Sequence, residues 1–222
     1  MLQPATLKFL KGLKRNNNKP WFDKHRSDYE AAKKDFEVFI QAVIDAHSKK
    51  DIDLQNLVAK KCLFRINRDV RFAKDKSPYK KNFAASMDKG GKKSGLAGYY
   101  FHLEPGNSFI GAGIWQPEPP AMKKIRQEID YNAQEFRKMI QAAPFKKMFK
   151  GLYTGENVQL KKLPHGIEKD NPAAEYLKFK SWMVLHELSD EELLSSSLLK
   201  TTLKGFSQAQ PLVKFLNRPI ES

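Results

Sequence analysis

The sequence contains one cysteine, Cys62, and therefore cannot form a disulfide within the chain. Its apolar runs are short, with residues 181–185 a typical example, and none approaches the roughly 20 residues of a membrane-spanning helix. The amino terminus also lacks the long apolar segment followed by small residues that marks a secretory signal. These absences predict a cytoplasmic protein with no membrane partner.

Metal ligands and nucleophile motifs are equally scarce. No cysteine pair exists to build a structural zinc site, and no spacing of carboxylates points to magnesium. No glycine-flanked serine of the hydrolase type occurs, and the basic glycine loop at 89–95 lacks the spacing of a phosphate-binding P-loop. Cys62 stands in an apolar alternation, which is typical of a small buried residue. We predict no metal and no cofactor, since the five histidines show no paired spacing: His25, His47, His102, His165 and His186.

Acidic residues are few in the middle of the chain. The net charge is +15, and residues 60–93 hold twelve Lys or Arg against three Asp, a local excess of +9. Residues 185–222 hold four Lys or Arg and five Asp or Glu, close to neutrality. The basic character is therefore regional and favours a polyanionic partner such as nucleic acid. The alternative is that many of these lysines are solvated charges that keep the protein soluble.

Apolar spacing predicts helices at the amino terminus. Pro4 suits the first turn of a helix that ends at residues 16–18, because asparagine tolerates the backbone of a helix exit. Pro20 opens a longer pattern with apolar spacings of three and four, which predicts one continuous helix as far as His47.

The middle of the chain has the two-residue period of strands. Alternation at 62–66, at 82–87 and again at 182–188 predicts three strands, and 96–104 with 109–116 predicts a hairpin. Further helices are predicted at 122–129, 133–142, 145–152, 172–179 and from Ser189 to about Leu216, broken near Gly205 and Pro211. No linker or repeat divides the chain. We therefore predict one α+β domain over residues 1–222, with a central, mainly antiparallel sheet flanked by N-terminal and C-terminal helices.

The predicted hairpin suggests a concave surface on one face of the sheet. If Glu104 lies opposite Phe109, then Tyr100 and His102 lie beside glycines 113 and 111. Because glycine has no side chain, large polar side chains beside glycines leave room for a ligand or for another backbone to approach. The alternative is an ordinary solvent-facing side of the sheet.

The stretch from Phe64 to Lys80 is the strongest candidate for a site. Its arginines alternate with aspartates around a turn at 75–78, and a guanidinium group makes two-pronged contacts with phosphate or carboxylate. Asp69 and Asp75 would orient neighbouring cations toward a ligand, or they would pin the loop to the sheet. Both interpretations remain open. The candidate ligand-binding residues are Arg65, Arg68, Asp69, Arg71, Asp75, Lys76, Tyr79, Lys80, Tyr100 and His102.

The same stretch resembles the most distinctive motif of a family of conserved hypothetical proteins, domain of unknown function 2461. The resemblance departs at Asn171, where histidine is expected before the proline, so no role can be carried over to that position. It implies a single-domain, bacterial-type cytoplasmic protein and supplies no activity. The matching blocks are 64–66, 68–72 and 75–80, preceded by 16–22 with Arg26 and Tyr29, and followed by 98–101, 111–115, 125–126 and 163–180.

Two functional hypotheses follow. The first is a site for a small phosphate- or carboxylate-bearing ligand, with or without catalysis, in which Asp69 or Glu104 orients a base or acts as one. The second is a nucleic-acid-binding module that uses residues 60–93, with tyrosines stacking on bases. We rank the small-ligand site first, because arginine–aspartate pairs suit a fixed ligand geometry. A purely structural interaction protein is the third alternative, and the sequence indicates no oligomeric state.

Overall fold

The computed structural model describes all 222 residues and contains ten α-helices, one short 3₁₀ helix and one four-stranded antiparallel sheet. The strands are β1 (Phe83–Asp88), β2 (Gly98–Leu103), β3 (Ser108–Ile114) and β4 (Trp182–Leu188), and they lie in the order β1-β2-β3-β4. Helices precede and follow the strands along the chain, so the predicted α+β class is confirmed.

The helices follow the apolar periodicity of the sequence. Their bounds are α1 Pro4–Arg15, α2 Lys19–Lys24, α3 Arg26–His47, α4 Ala59–Cys62, α5 Pro119–Tyr131, α6 Ala133–Gln141, α7 Ala143–Phe149, α8 Ala174–Leu177, α9 Asp190–Leu194 and α10 Leu198–Glu221, with the 3₁₀ helix at Ile52–Leu54. Ser189 and Glu192 form a capping box at the start of α9, each side chain bonding a backbone N–H of the other residue.

The chain divides into two compact units, each assembled from three segments. Unit 1 contains residues 1–87, 100–110 and 187–204, and unit 2 contains residues 88–99, 111–186 and 205–222. The single domain expected from the sequence stays a prediction.

Unit 1 has an aromatic core beneath α1 and α3. The ring of Phe9 stacks on Phe83 with centroids 6.3 Å apart, and Phe36 stacks on the same ring from 5.8 Å. Phe36 also lies 5.9 Å from Phe101 of β2. Because Phe9 belongs to α1 and Phe36 to α3, and both rings pack on residues of the strands, their burial fixes both helices on the strands.

Unit 2 is built around Trp182, whose side chain is fully buried. The indole N–H donates to the Tyr176 carbonyl at 3.0 Å, which satisfies the only polar atom of the ring. Arg126 lies over the same ring and donates to the carbonyls of Leu177 and Phe179 at 3.0 and 2.9 Å. Its guanidinium therefore holds the end of α8 and the residues that follow, a structural role for a residue in one of the matching sequence blocks.

The prediction of one continuous helix from Pro20 to His47 is wrong in one respect, because the helix is interrupted at His25. His25 has a backbone outside the helical region (φ −108°, ψ 27°) and separates α2 from α3. Its imidazole stacks on Trp21 at 4.0 Å, and its Nδ1 lies 2.8 Å from the Trp21 carbonyl oxygen. The side chain thus shares a carbonyl that an uninterrupted helix would use for its backbone alone.

The prediction of a strand at 62–66 is also wrong, because no strand forms there. Cys62 ends the one-turn helix α4, and the residues after it pair with β1 only at an isolated bridge between Leu63 and Ala85. Phe64 is 38% exposed while Cys62 and Ile66 are buried, so the apolar alternation does not mark one sheet face. Short apolar alternation alone does not distinguish a strand from a helical turn followed by an extended segment.

The predicted breaks in the last helix are absent. α10 runs through Gly205 and Pro211 without interruption. Leu212 and Leu216 are completely buried, as is Ala209 one turn earlier. The stabilisation from burying these apolar side chains on both sides of the exposed Pro211 is larger than the cost of the backbone hydrogen bond that the proline cannot make.

Glycines of β3 serve the approach of another backbone. A Cβ added at Gly113 would lie 2.1 Å from the carbonyl oxygen of Trp182, and one at Gly111 would lie 3.0 Å from the Leu185 side chain. The sequence left open whether a ligand or another backbone approaches these glycines, and in the structure the backbone of β4 does. The register also differs from the predicted one, because Phe109, predicted to lie opposite Glu104, stacks on His102 at 4.7 Å and lies 5.8 Å from Tyr100.

Replacing Gly113 by alanine is expected to destabilise the fold by about 2–4 kcal/mol, because overpacking adds to the strain of its positive φ. The residue has φ 122° and no free space, whereas Gly95 has φ 76° with nothing within 4 Å. Gly95→Ala should therefore cost only about 1 kcal/mol. Urea denaturation of the two variants measures the difference, and equal losses would contradict the close approach of β4.

Candidate ligand-binding site

The predicted site residues between Arg65 and Lys80 lie on an extended excursion of unit 1, residues 63–85, here called the basic arm. Its two sides are joined by antiparallel bridges between Leu63 and Ala85 and between Asn67 and Tyr79. The Lys80 N–H also donates to the Ile66 carbonyl at 2.7 Å. These few bonds turn the segment into a narrow double-stranded support for the loop at its end.

The base of the arm is attached to the start of the chain by Asn17. The Asn17 side chain accepts a hydrogen bond from the Tyr79 N–H at 3.1 Å and donates to the Tyr79 carbonyl at 2.9 Å. Phe22 stacks on the Tyr79 ring with centroids 4.0 Å apart. Tyr79 is buried, so this predicted ligand-binding residue is an anchor of the arm.

The turn of the arm is organised by Asp75. Its carboxylate accepts from the N–H and hydroxyl of Ser77 and from Arg68 Nη1, the last at 2.7 Å. Arg68 also donates to the Ser77 carbonyl at 3.0 Å. The Ser77 bonds, followed by the Arg68 bond, hold the pKa of Asp75 well below its usual range. For Arg68 and Asp75 this geometry favours the loop-pinning interpretation.

Asp69 and Arg71 form a second pair near the tip. Arg71 Nε and Nη2 donate to the two carboxylate oxygens at 3.0 and 2.7 Å, and the Arg71 side chain remains 77% exposed. These hydrogen bonds lower the pKa of Asp69, with a smaller contribution from the positive charge of the exposed Arg65. The Lys76 ammonium donates to the Val70 carbonyl at 3.1 Å and so joins the two sides of the loop.

A chain of polar side chains crosses the face of β2. The Tyr100 hydroxyl lies 3.3 Å from His102 Nδ1, and His102 Nε2 lies 3.4 Å from one oxygen of Glu104. The other oxygen of Glu104 lies 3.4 Å from the ammonium of Lys14 on α1. Each carboxylate oxygen of Glu104 thus has a partner, one from the sheet and one from the helix.

Burial changes the acid–base behaviour of this chain. It raises the pKa of Tyr100 to about 12, so the phenol stays protonated at neutral pH. It also lowers the pKa of His102, although the hydrogen bond to Glu104 acts in the opposite direction. The imidazole is therefore neutral at pH 7, and which ring nitrogen carries the proton depends on its two neighbours.

Aromatic side chains surround the polar chain. Phe109 lies against His102 and 5.8 Å from Tyr100, and Phe64 of the arm lies 6.3 Å from Tyr100. The Lys80 ammonium sits 5.3 Å from the centre of the Phe64 ring. Through Phe64, two of the predicted residues, Lys80 and Tyr100, are brought to the same neighbourhood.

A cavity of about 260 Å³ lies where α1 ends, next to the hairpin turn between β2 and β3. Lys11 pairs with Asp190 at 2.8 Å, and the same carboxylate accepts from the Gly106 N–H at 2.9 Å. Lys14, one of the cations of this cavity, is the partner of Glu104. We call it the α1 pocket, and it is lined by Lys11, Lys14, Arg15, Pro105, Gly106 and Asp190.

None of these six residues was among the predicted ligand-binding set. A signal did exist, because cations at positions 11, 14 and 15 recur at the spacing of one helix face. The sequence could not show that the Asp190 carboxylate and the Gly106 N–H meet, since they lie 84 residues apart. The predicted residues therefore fall into two groups. One group lies in the basic arm, and the other is the Tyr100–His102 pair, which contacts the pocket cation Lys14 through Glu104.

The model of a family of conserved hypothetical proteins, domain of unknown function 2461, matches residues 5–215. The chain belongs to this family. No curated protein and no solved structure matches the chain. None of the helices has the length and apolar content needed to cross a membrane, and no group of three or more His, Cys, Asp or Glu side chains is placed to hold a metal ion.

The structure explains why two sequence blocks of this family member belong together. Asn17 and Phe22 come from the first block, and Tyr79 comes from the most distinctive one. At the position where the sequence departs from expectation, Asn171 donates to Asp130 at 2.6 Å and accepts from the Ala173 N–H at 2.7 Å. Its amide holds the turn before α8 by hydrogen bonds alone.

Asn17→Ala is expected to lower the free energy of unfolding by about 1–3 kcal/mol, because both backbone groups of Tyr79 lose their partner at a partly buried site. Asn16→Ala is the matched control, since Asn16 is exposed and its side chain makes a single bond to the Gly12 carbonyl. Chemical denaturation checks both variants. An Asn17→Ala protein as stable as Asn16→Ala would show that the arm does not depend on this link.

The lowered pKa of His102 predicts a pH dependence of stability. Because the folded pKa lies below the unfolded value of about 6.5, the folded state is favoured fully above that pH and loses stability as pH falls below it. His102→Gln should show a smaller loss between about pH 7 and 5 than the wild type, measured by urea denaturation. Buried His47 has a lowered pKa as well, so part of the loss remains. The exposed His165, replaced by glutamine, is the control.

Proposed function

We propose that this protein binds a small phosphate- or carboxylate-bearing ligand in the α1 pocket. The observation that carries the proposal is the convergence of three cations from one face of α1 on a cavity beside the Tyr100–His102–Glu104 chain. The cavity of about 260 Å³ is small, which suits a ligand of a few polar groups better than a large cofactor.

The charges of the pocket favour an anion. Lys11, Lys14 and Arg15 face a single lining carboxylate, Asp190, and the nearby Glu104 adds one more negative charge. The two ion pairs are partly exposed, with Lys11 and Lys14 about half accessible. Exposed pairs of this kind contribute little energy, so an incoming anion can replace them at small cost. Arg15 supplies a planar guanidinium for two-pronged binding.

Glu104 and His102 serve this site as positioning residues. Both oxygens of Glu104 are engaged, one by His102 and the other by Lys14. The carboxylate therefore sets the place of the Lys14 ammonium at the pocket edge. The neutral imidazole, fixed between the Tyr100 hydroxyl and Glu104, keeps that carboxylate in one orientation.

The proposed pocket uses few of the residues expected from the sequence. Arg68, Asp75 and Tyr79 are occupied in holding the basic arm, which makes them poor candidates for ligand contact. Arg71 stays exposed beside Asp69 and thus serves as a comparison site for anion binding outside the pocket.

Isothermal titration calorimetry tests the proposal with a panel of phosphate, pyrophosphate, nucleotides, sugar phosphates and small di- and tricarboxylates at low salt. We expect at least one to bind, and the double variant Lys14→Gln/Arg15→Gln to weaken it roughly tenfold or more, since hydrogen bonds to charged groups contribute about 1.5–3 kcal/mol. Arg71→Ala is the control and should bind like the wild type.

Two results would overturn the proposal. No binding across the panel at low salt would remove the small-ligand function. Binding that Arg71→Ala abolishes and the double variant leaves intact would move the site from the α1 pocket to the tip of the basic arm. Thermal unfolding of each variant shows that a loss of binding is not a loss of fold.

A further inference from the structure

A fully exposed aromatic side chain stands at the tip of the basic arm. Phe72 is 96% exposed, the highest value among the large hydrophobic residues of the chain. The guanidinium of Arg71 lies 5.9 Å from the centre of its ring. A single exposed hydrophobic side chain is common on protein surfaces, so the case for an interaction site here depends on what surrounds the Phe72 ring.

The loop that carries Phe72 is tied from several directions. Arg68 holds Asp75 and the Ser77 carbonyl, Asp75 holds Ser77, and Lys76 donates to the Val70 carbonyl. These bonds fix the loop on either side of Phe72 and leave the ring pointing away from the protein. Internal arginine–aspartate pairs thus hold the loop that presents the aromatic side chain.

Positive charge surrounds this ring. Residues 65–76 contain five Lys or Arg and two Asp, and Lys80 and Lys81 follow at the base of the arm. Lys74, two residues from Phe72, is exposed. A second ring, Phe64, is 38% exposed and has the Lys80 ammonium 5.3 Å from its centre. The arm therefore contains the same combination at two places: an accessible aromatic ring with a cation beside it.

We infer that the basic arm binds single-stranded nucleic acid, with a base stacked on Phe72 and phosphates held by the neighbouring cations. A ring accepts the flat face of any base, and lysine or arginine beside it neutralises the linking phosphate. This binding is independent of the α1 pocket and uses other residues.

An anionic membrane is the main competitor for such a loop. Membrane insertion by a loop or helix relies on a substantial buried apolar area, with charge as a supplement. At the arm tip only Phe72 offers such area, since its neighbours are Arg71 and Ala73, followed by Lys74. One ring beside several cations fits a base and its phosphate better than it fits a lipid interior.

Fluorescence anisotropy with a labelled single strand of about 15 nucleotides tests the inference, in the range of site sizes known for such proteins. We expect Phe72→Ala to weaken binding roughly 5- to 100-fold, the loss of one base stack, and Phe72→Trp to preserve it. Tyr131→Ala is the matched control, because Tyr131 is an exposed aromatic residue of unit 2, at 74%. Phe72 is fully exposed, so its variants should keep the wild-type melting temperature.

Salt titration separates stacking from charge. Phe72→Ala should leave the slope of log K against log salt unchanged, whereas Lys74→Gln should reduce it by about 0.7, the value for one phosphate contact on a single strand. Unchanged affinity in Phe72→Ala would overturn the inference, as would a preference for duplex over single strand. Binding to phosphatidylserine vesicles that requires Phe72, without binding to the single strand, would assign the arm to membranes.

Discussion

The pair of hydrogen bonds between Asn17 and the backbone of Tyr79 is the constraint on which the position of the basic arm depends. A side-chain amide offers a donor and an acceptor in a plane, as a neighbouring strand would, so it bonds the N–H and carbonyl of Tyr79 that the bridge to Asn67 leaves unused. The stack of Phe22 on Tyr79 adds apolar burial to the same contact. Together they fix where the basic arm leaves the body of unit 1, and hence the position of every charged residue it carries.

Charged residues in this protein have two separate physical tasks. Inside the arm, arginine and lysine satisfy carboxylates and backbone carbonyls, as Arg68 does with Asp75 and Ser77, and thereby give shape to a loop without a core. On α1, Lys11 and Lys14 line a cavity and pair with carboxylates while their own side chains remain about half exposed. Identical residue types therefore contribute structure in one place and, in the proposed function, ligand attraction in the other, and only their partners distinguish the two.

Features set by neighbours in sequence could be predicted, and those set by distant contacts could not. The start of α1 at Pro4, the Ser189 capping box, the β2–β3 hairpin and the α+β class follow from local spacing. The interruption at His25 depends on a ring stacked on Trp21, and the α1 pocket depends on Lys14 meeting Glu104, 90 residues away. Residue composition predicts a strongly basic stretch at 60–93 but does not show which of its cations are engaged in hydrogen bonds that stabilise the arm.

The sharing of Glu104 between His102 and Lys14 has a thermodynamic consequence for ligand binding. An anion that attracts Lys14 leaves the carboxylate to His102 alone and brings a further negative charge close to the imidazole. Both changes favour the imidazolium form, so the protein would take up a fraction of a proton as the anion binds. Affinity would then rise toward mildly acidic pH, and the measured heat of binding would vary with the ionisation enthalpy of the buffer.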